Sequence, residues 1–269
     1  MLFVGLLAVV FSSGCLENAM LLKVNKDGSG TMTYRAFISD DVLAMAAMGD
    51  PSGESAAIDP FEDIKKKLAE QFGEAAKLES SRSLKNKKGW EGFEAVYAFD
   101  DVNKVSLADI QAGDSGSGVP MEQVGTSYNF TFTPGDVATL KMAPVTMGMD
   151  EAEADEAVEE MMDGSGAKMG EMDEMQFGMM KQMLAGTGMR VSFLVFVNGE
   201  VVETNSRFQS AKRPNVIALM DISMDKLFED PQASKLLLAG EDGLDKLADL
   251  QIKGVQLESP NREIFISFK

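Results

Sequence analysis

The sequence predicts an α+β fold: mostly antiparallel β-sheet built from hairpins, with several packed helices, following an N-terminal signal peptide. Two observations predict it. About ten segments alternate apolar and polar residues with period two, most of them in neighbouring pairs joined by turn-forming residues. Between them, a few stretches repeat apolar residues at helical spacing behind Asp-Pro starts. Strands paired in sequence and helices set apart are the α+β pattern.

The elements follow in order. Met20, Leu22 and Val24 share one face of an alternating run, and Met32, Tyr34, Ala36 and Ile38 share another, giving a hairpin over residues 20–39. The loop between, Asn25-Lys26-Asp27-Gly28-Ser29-Gly30, resembles a calcium loop. Yet an amide stands at loop position 1 and Ala36 at position 12, where a bidentate carboxylate is needed, and the flanks are strands instead of helices. It reads as a turn. Asp40 to Met48 is short and helix-like. Asp59 caps a better helix, with Pro60 at its first position, Glu62 completing a capping box, and Phe61, Ile64, Leu68 and Phe72 on its core face. Lys77–Lys85 and Trp90–Phe99 make a second hairpin, residues 77–99, around Asn86-Lys87-Lys88-Gly89, and Asp101 reads as a helix cap. Gly113–Gly118 is a polar loop. Tyr128, Phe130 and Phe132 begin a third hairpin, residues 126–142, turned by Pro134-Gly135. Met189–Val197 is the clearest strand, and Asn198-Gly199 predicts a hairpin into Glu200–Thr204. Asn215–Ser223 is a further strand. Asp230-Pro231 starts a helix that Gly240 stops, and Leu244, Leu247 and Leu250 mark another. Val255–Leu257 and Ile264–Phe268 are expected to close the chain as a hairpin around Glu258-Ser259-Pro260-Asn261.

The N-terminus gives an address. Leu2 to Phe11 is an unbroken apolar run, half the roughly 20 residues a helix needs to span a bilayer. Its length matches the apolar region of a secretory signal. Ser12-Ser13-Gly14-Cys15 follows, and small residues directly before a cysteine resemble the bacterial lipoprotein signal, although Ser12 stands where that family prefers leucine. The resemblance implies that Cys15 is the lipidated first residue of the mature chain, carrying diacylglyceryl and palmitate-type acyl groups. No Lys or Arg precedes the apolar run, which points to a start codon upstream of Met1. Cys15 is also the chain's one cysteine, so an internal disulfide is excluded. The expected organisation is a signal peptide over 1–14 and an N-terminal part over 15–148. An acidic, Met-rich linker and amphipathic helix over 149–188 then leads to a C-terminal part over 189–269, forming one domain with the first.

Charge and composition exclude several classes. The chain holds 25 basic and 43 acidic residues, a net charge of −18. That argues against nucleic acid, which needs clustered cations, and against adhesion to anionic lipid by charge. The tether must then come from acyl chains, each buried methylene contributing about 0.8 kcal/mol. With no histidine, Ser-His and Cys-His nucleophiles and nearly all catalytic zinc sites are absent. No catalytic residue and no cofactor is assigned. The most unusual stretch runs from Met149 to Met183. Asp150 to Glu174 holds eleven carboxylates against Lys168 alone, and Met169, Met172, Met175, Met179, Met180 and Met183 follow helical spacing. Three readings stay open: an amphipathic helix packed on the body, a Met face for a protein or lipid ligand, and thioether capture of Cu(I) or Ag(I).

A second resemblance rests on Met189–Ser206 with Asn215–Phe228, which looks like the core of the mycobacterial lipoprotein-M type: a strand, a Gly turn, an Asn shortly after, and a closing strand. Gly199, Val201 and Asn205 match; Asn198 replaces an expected proline, and the closing strand lacks the expected tryptophan. The resemblance implies a fold and an envelope location. The expected protein is therefore a bacterial envelope lipoprotein, its body outside the cytoplasm in the periplasm or at the cell surface, with a binding or scaffolding role. A soft-metal-binding periplasmic protein and a carboxylate-based hydrolase are the alternatives.

Overall fold

Period-two alternation becomes two β-sheets whose apolar faces meet. A computed structural model describes residues 16–39, 61–72, 75–107, 128–144, 178, 188–238, 246–259 and 261–269. Within them lie strands β1 (Leu16–Val24), β2 (Gly30–Ile38), β3 (Lys77–Lys85), β4 (Glu91–Phe99), β5 (Ser106–Leu107), β6 (Tyr128–Thr133), β7 (Ala138–Pro144), β8 (Arg190–Val197), β9 (Val201–Thr204), β10 (Gln209–Ser210), β11 (Arg213–Ser223), β12 (Val255–Leu257) and β13 (Ile264–Phe268). The helices are short: α1 (Glu62–Phe72), α2 (Met224–Glu229), α3 (Pro231–Leu238) and a single turn over 246–249.

The first sheet runs β10-β11-β8-β1-β2-β4-β3, with β12 also paired to β11; the second runs β5-β6-β7-β13-β9. Every pairing is antiparallel except β1 with β8. That one parallel pair puts strands from either side of the Met-rich stretch next to each other at the centre of the sheet. Leu22, Val24, Met32, Tyr34, Phe93, Tyr97, Phe193 and Val195 of the first sheet face Tyr128, Phe130, Leu140, Met142, Ile264 and Phe268 of the second. Phe61, Leu68 and Phe72 of α1 join this core, and the Phe72 and Tyr97 rings meet at 4.8 Å. A smaller core gathers Ile222, Met224, Leu227, Phe228, Leu247 and Val255 around the short C-terminal helices.

This corrects the predicted α+β class. Strand accounts for 53% of the described structure and helix for 18%, in four short helices and two sheets, which does not fit several packed helices. The physical reason is that sheet covers sheet. Each apolar sheet face finds its partner in the other, leaving helices only an end and one margin of the core to close. Two expected hairpins also fail. Asn198-Gly199 joins β8 of the first sheet to β9 of the second, and β12 and β13 likewise belong to different sheets. Local turn chemistry was read correctly as a reversal, but the reversal passes the chain between layers. At Asn198 the backbone N–H donates to the Val24 carbonyl, while Glu200 pairs with Lys269. A Cβ on Gly199 would stand 2.6 Å from the Lys269 carbonyl oxygen, so the crossing strands need a residue without one.

The three earlier hairpins pair as read: β1 with β2, β3 with β4, β6 with β7. Asp101 accepts from the Asn103 backbone N–H and caps a 3₁₀ turn, Val102–Lys104. Asp230 accepts from Gln232 and Ala233 at the start of α3. β8 and β11 pair antiparallel, so the unit picked out by the resemblance does close on itself. The helix expected at Asp40–Met48, the caps Asp59 and Pro60, and the loop at Gly113–Gly118 lie outside the described residues.

Candidate functional site

The first turn is closed by its own hydrogen bonds. Asn25 and Ser29 close it, Asn25 N–H donating to the Ser29 carbonyl at 2.8 Å, and Gly28 takes φ +85°. The Asp27 carboxylate accepts from the Ser29 hydroxyl at 2.6 Å and from its backbone N–H at 3.0 Å. These bonds, the hydroxyl's first, hold the Asp27 carboxyl below its ordinary range. Asn25 Oδ1 accepts from Asn198 Nδ2. One oxygen of the Asp27 carboxylate is thus tied into the turn itself. Among the described residues no three His, Cys, Asp or Glu side chains are grouped to hold a metal ion.

Asn86-Lys87-Lys88-Gly89-Trp90 repeats the same device. Asn86 N–H donates to the Trp90 carbonyl, its Oδ1 accepts from the backbone of Lys88 and Trp90, and Gly89 takes φ +89°. Both are three-residue loops whose last position is left-handed glycine. The Asn-Lys-x-Gly pattern common to both was legible in the sequence and is a turn code.

Charge is organised on the outward face of the first sheet. Arg35, Glu94 and Arg82 lie on adjacent strands, where Arg35 and Arg82 both donate to the buried Glu94 carboxylate, Arg82 Nε at 2.8 Å. Burial pushes the Glu94 carboxyl up, but the two guanidiniums outweigh it and its pKa is lowered overall. Two strands from Arg35, Arg190 forks onto Asp221 at 2.7 and 2.6 Å, and the Ser192 hydroxyl donates to the same carboxylate at 2.8 Å. At the other side of the fold, wholly buried Glu258 accepts from Ser206 Oγ, the Arg207 backbone N–H and Arg262. Asn205 bridges beside it, donating to the Glu263 carbonyl and accepting from Phe265 N–H. These clusters lock strands and the crossovers between sheets. At Glu94 the two guanidiniums favour the ionised acceptor, the opposite of what a general acid requires. Sequence reasoning missed all three: Arg35 and Glu94 lie 59 positions apart and Arg190 and Asp221 31, distances that only strand register brings together, and Glu258 meets Ser206 and Arg207 only through the fold.

Cys15 and Met169, Met172, Met175, Met179, Met180 and Met183 lie outside the described residues. What the structure does place is Leu16. The residue after Cys15 is the first of β1, which is flanked on both sides by β2 and β8. Across the sheet, Leu16 aligns with Ile38, Ile38 with Glu91, and Glu91 with Lys85. The point where Cys15 joins the fold and the 86–90 turn therefore project from the same end of the sheet. Among the described residues no helix is long and apolar enough to cross a membrane.

No family model and no curated protein matches the chain. Among solved structures, the folded domain of the Mycobacterium tuberculosis protein LppM, determined by NMR, is similar at 10% identity over 80% of this chain and 86% of that one, with a TM-score of 0.32. A likeness at that level carries no argument about function.

Proposed function

We propose that the chain is a bacterial envelope lipoprotein, fastened to a membrane through a diacylglyceryl thioether on Cys15. Its β-sheet body lies outside the cytoplasm and binds or scaffolds other molecules without catalysing a reaction. One observation carries the reading: the apolar run and Ser-Ser-Gly end at a cysteine one residue before a central strand begins. Cleavage ahead of Cys15 removes residues 1–14 and leaves every described strand whole. The acyl chains then emerge where the sheet starts, with no linker between anchor and body. The carboxylates of Glu94, Asp221 and Glu258, each bound by arginine, support a structural body over a reactive one.

The test compares wild type with Cys15→Ser in a bacterial host. Wild type should incorporate labelled palmitate and stay with the membrane pellet through a high-salt wash. The serine form should lose both properties. Equal retention of the two forms would sink the anchor.

A further inference from the structure

We propose that the β3–β4 turn is a membrane-contact foot, in which Lys85, Lys87, Lys88 and Trp90 rest on the anionic headgroups of the bilayer that holds the acyl chains. The proposal builds on the lipid-anchor reading and says how the body is oriented by it. Position comes first. The row Leu16, Ile38, Glu91, Lys85 spans three strand-to-strand steps, so the turn stands about 14 Å from the start of β1, at the same end of the sheet. An anchor at Cys15 brings that end to the bilayer and the turn with it.

Charge comes second. The chain carries −18, yet the turn end, Lys85 to Glu91, holds three cations against one carboxylate, and with Lys85 paired to Glu91 at 2.7 Å, Lys87 and Lys88 supply its surplus charge. Net charge is a poor guide at this range, because salt screens beyond about 8 Å and a surface feels only the charges nearest it. Each Lys close to an anionic leaflet contributes about 1 kcal/mol. The repulsion expected of the whole chain therefore does not govern this end.

The third argument is what the turn is loaded with. The twin turn at the other end of the sheet uses the same backbone, but its Gly28 faces the Phe132 ring and its Asp27 is bound to Ser29. At Gly89 nothing among the described residues lies within 4 Å of a Cβ position, and Lys87 and Lys88 are exposed. The chain's one tryptophan sits there, only half-buried, with Lys88 Nζ 4.4 Å from its ring centroid. The headgroup layer favours an indole beside lysine.

Because Trp90 is the lone indole, its fluorescence reports this turn alone. The acylated full chain is reconstituted in vesicles of equal parts phosphatidylglycerol and phosphatidylcholine, the latter with or without bromine near the glycerol end of its acyl chains. Expected is quenching of about twofold by the brominated lipid, since a seated turn lies at headgroup depth. The quenching should disappear in the Lys87→Glu/Lys88→Glu variant and persist in Lys87→Arg/Lys88→Arg. Unquenched Trp90 in chains that sediment with the vesicles overturns the contact. If the chain fails to sediment, the anchor reading is what has failed. A hexahistidine added before Leu16 and captured by nickel-chelating lipid then supplies the tether. Quenching in that arrangement supports the foot, and its absence overturns it.

Discussion

At the scale of single residues, two turns with one backbone separate conformational strain from steric strain. Gly28 and Gly89 have φ near +85° and +89°, so alanine at either loses about 1 kcal/mol through the left-handed backbone alone. At Gly28 the added methyl would also stand 2.8 Å from the Phe132 ring, while at Gly89 it meets nothing among the described residues. Urea unfolding should therefore show Gly28→Ala costing about 2–3 kcal/mol and Gly89→Ala about 1. Equal costs would mean that the ring yields freely. Glu94 gives a pH signature. Its folded carboxyl lies below the ordinary 4.5, so its charge stabilises the fold above that value and the contribution fades as pH falls through the lower, folded one. Glu94→Gln should cost about 2–3 kcal/mol at neutral pH, leaving Arg35 and Arg82 without their anion. The gap between variant and wild type should close on acidification. A gap that holds constant down to acid unfolding would contradict the ion-pair account.

Elements were legible where alternation and turn chemistry agree locally. Met20 to Val24 against Met32 to Ile38, and Phe93 to Phe99 behind Asn-Lys-Lys-Gly, needed no distant information. What sequence could not show is which layer receives a strand once it turns. Asn198-Gly199 has the residues of a hairpin and works as a crossover, because the partner of β9 is β13, some 60 positions on. Helices were overweighted for a related reason: apolar spacing in α1 was real, but its share of the core depends on how far the second sheet reaches. Within α1, Leu68 is fully buried and Phe72 nearly so, whereas Leu78 on the edge strand β3 is 56% exposed. Thermal or urea unfolding should give Leu68→Ala a loss of about 2–4 kcal/mol and Leu78→Ala less than about 0.5. Comparable losses would move α1 out of the core. Of the candidate site, the cysteine expected to carry the anchor and the turn were both legible in the sequence, but not that β1, which follows that cysteine, starts at the turn's end of the sheet.

For the whole molecule, the decisive fact is that neither half of the chain owns a complete sheet. β1 pairs with β2 from its own half and with β8 from the other, and β13 lies between β7 of the first half and β9 of its own. A chain ending at residue 148 would expose a bare β1 edge and the apolar face that Phe193 and Val195 cover. The remainder, from residue 189, would have β9 and β13 without β7 to carry them. We therefore expect residues 15–148 and 189–269, produced as two separate chains in one cell, to assemble into a one-to-one complex. Each alone should aggregate, since unpaired central strands are templates for non-native pairing. The complex should unfold in one transition whether followed by far-ultraviolet dichroism or by Trp90 emission, because one core serves both pieces. Two soluble, separately folding fragments would show instead that 149–188 joins independent units, and the sheet built around β1 and β8 would have to be redrawn.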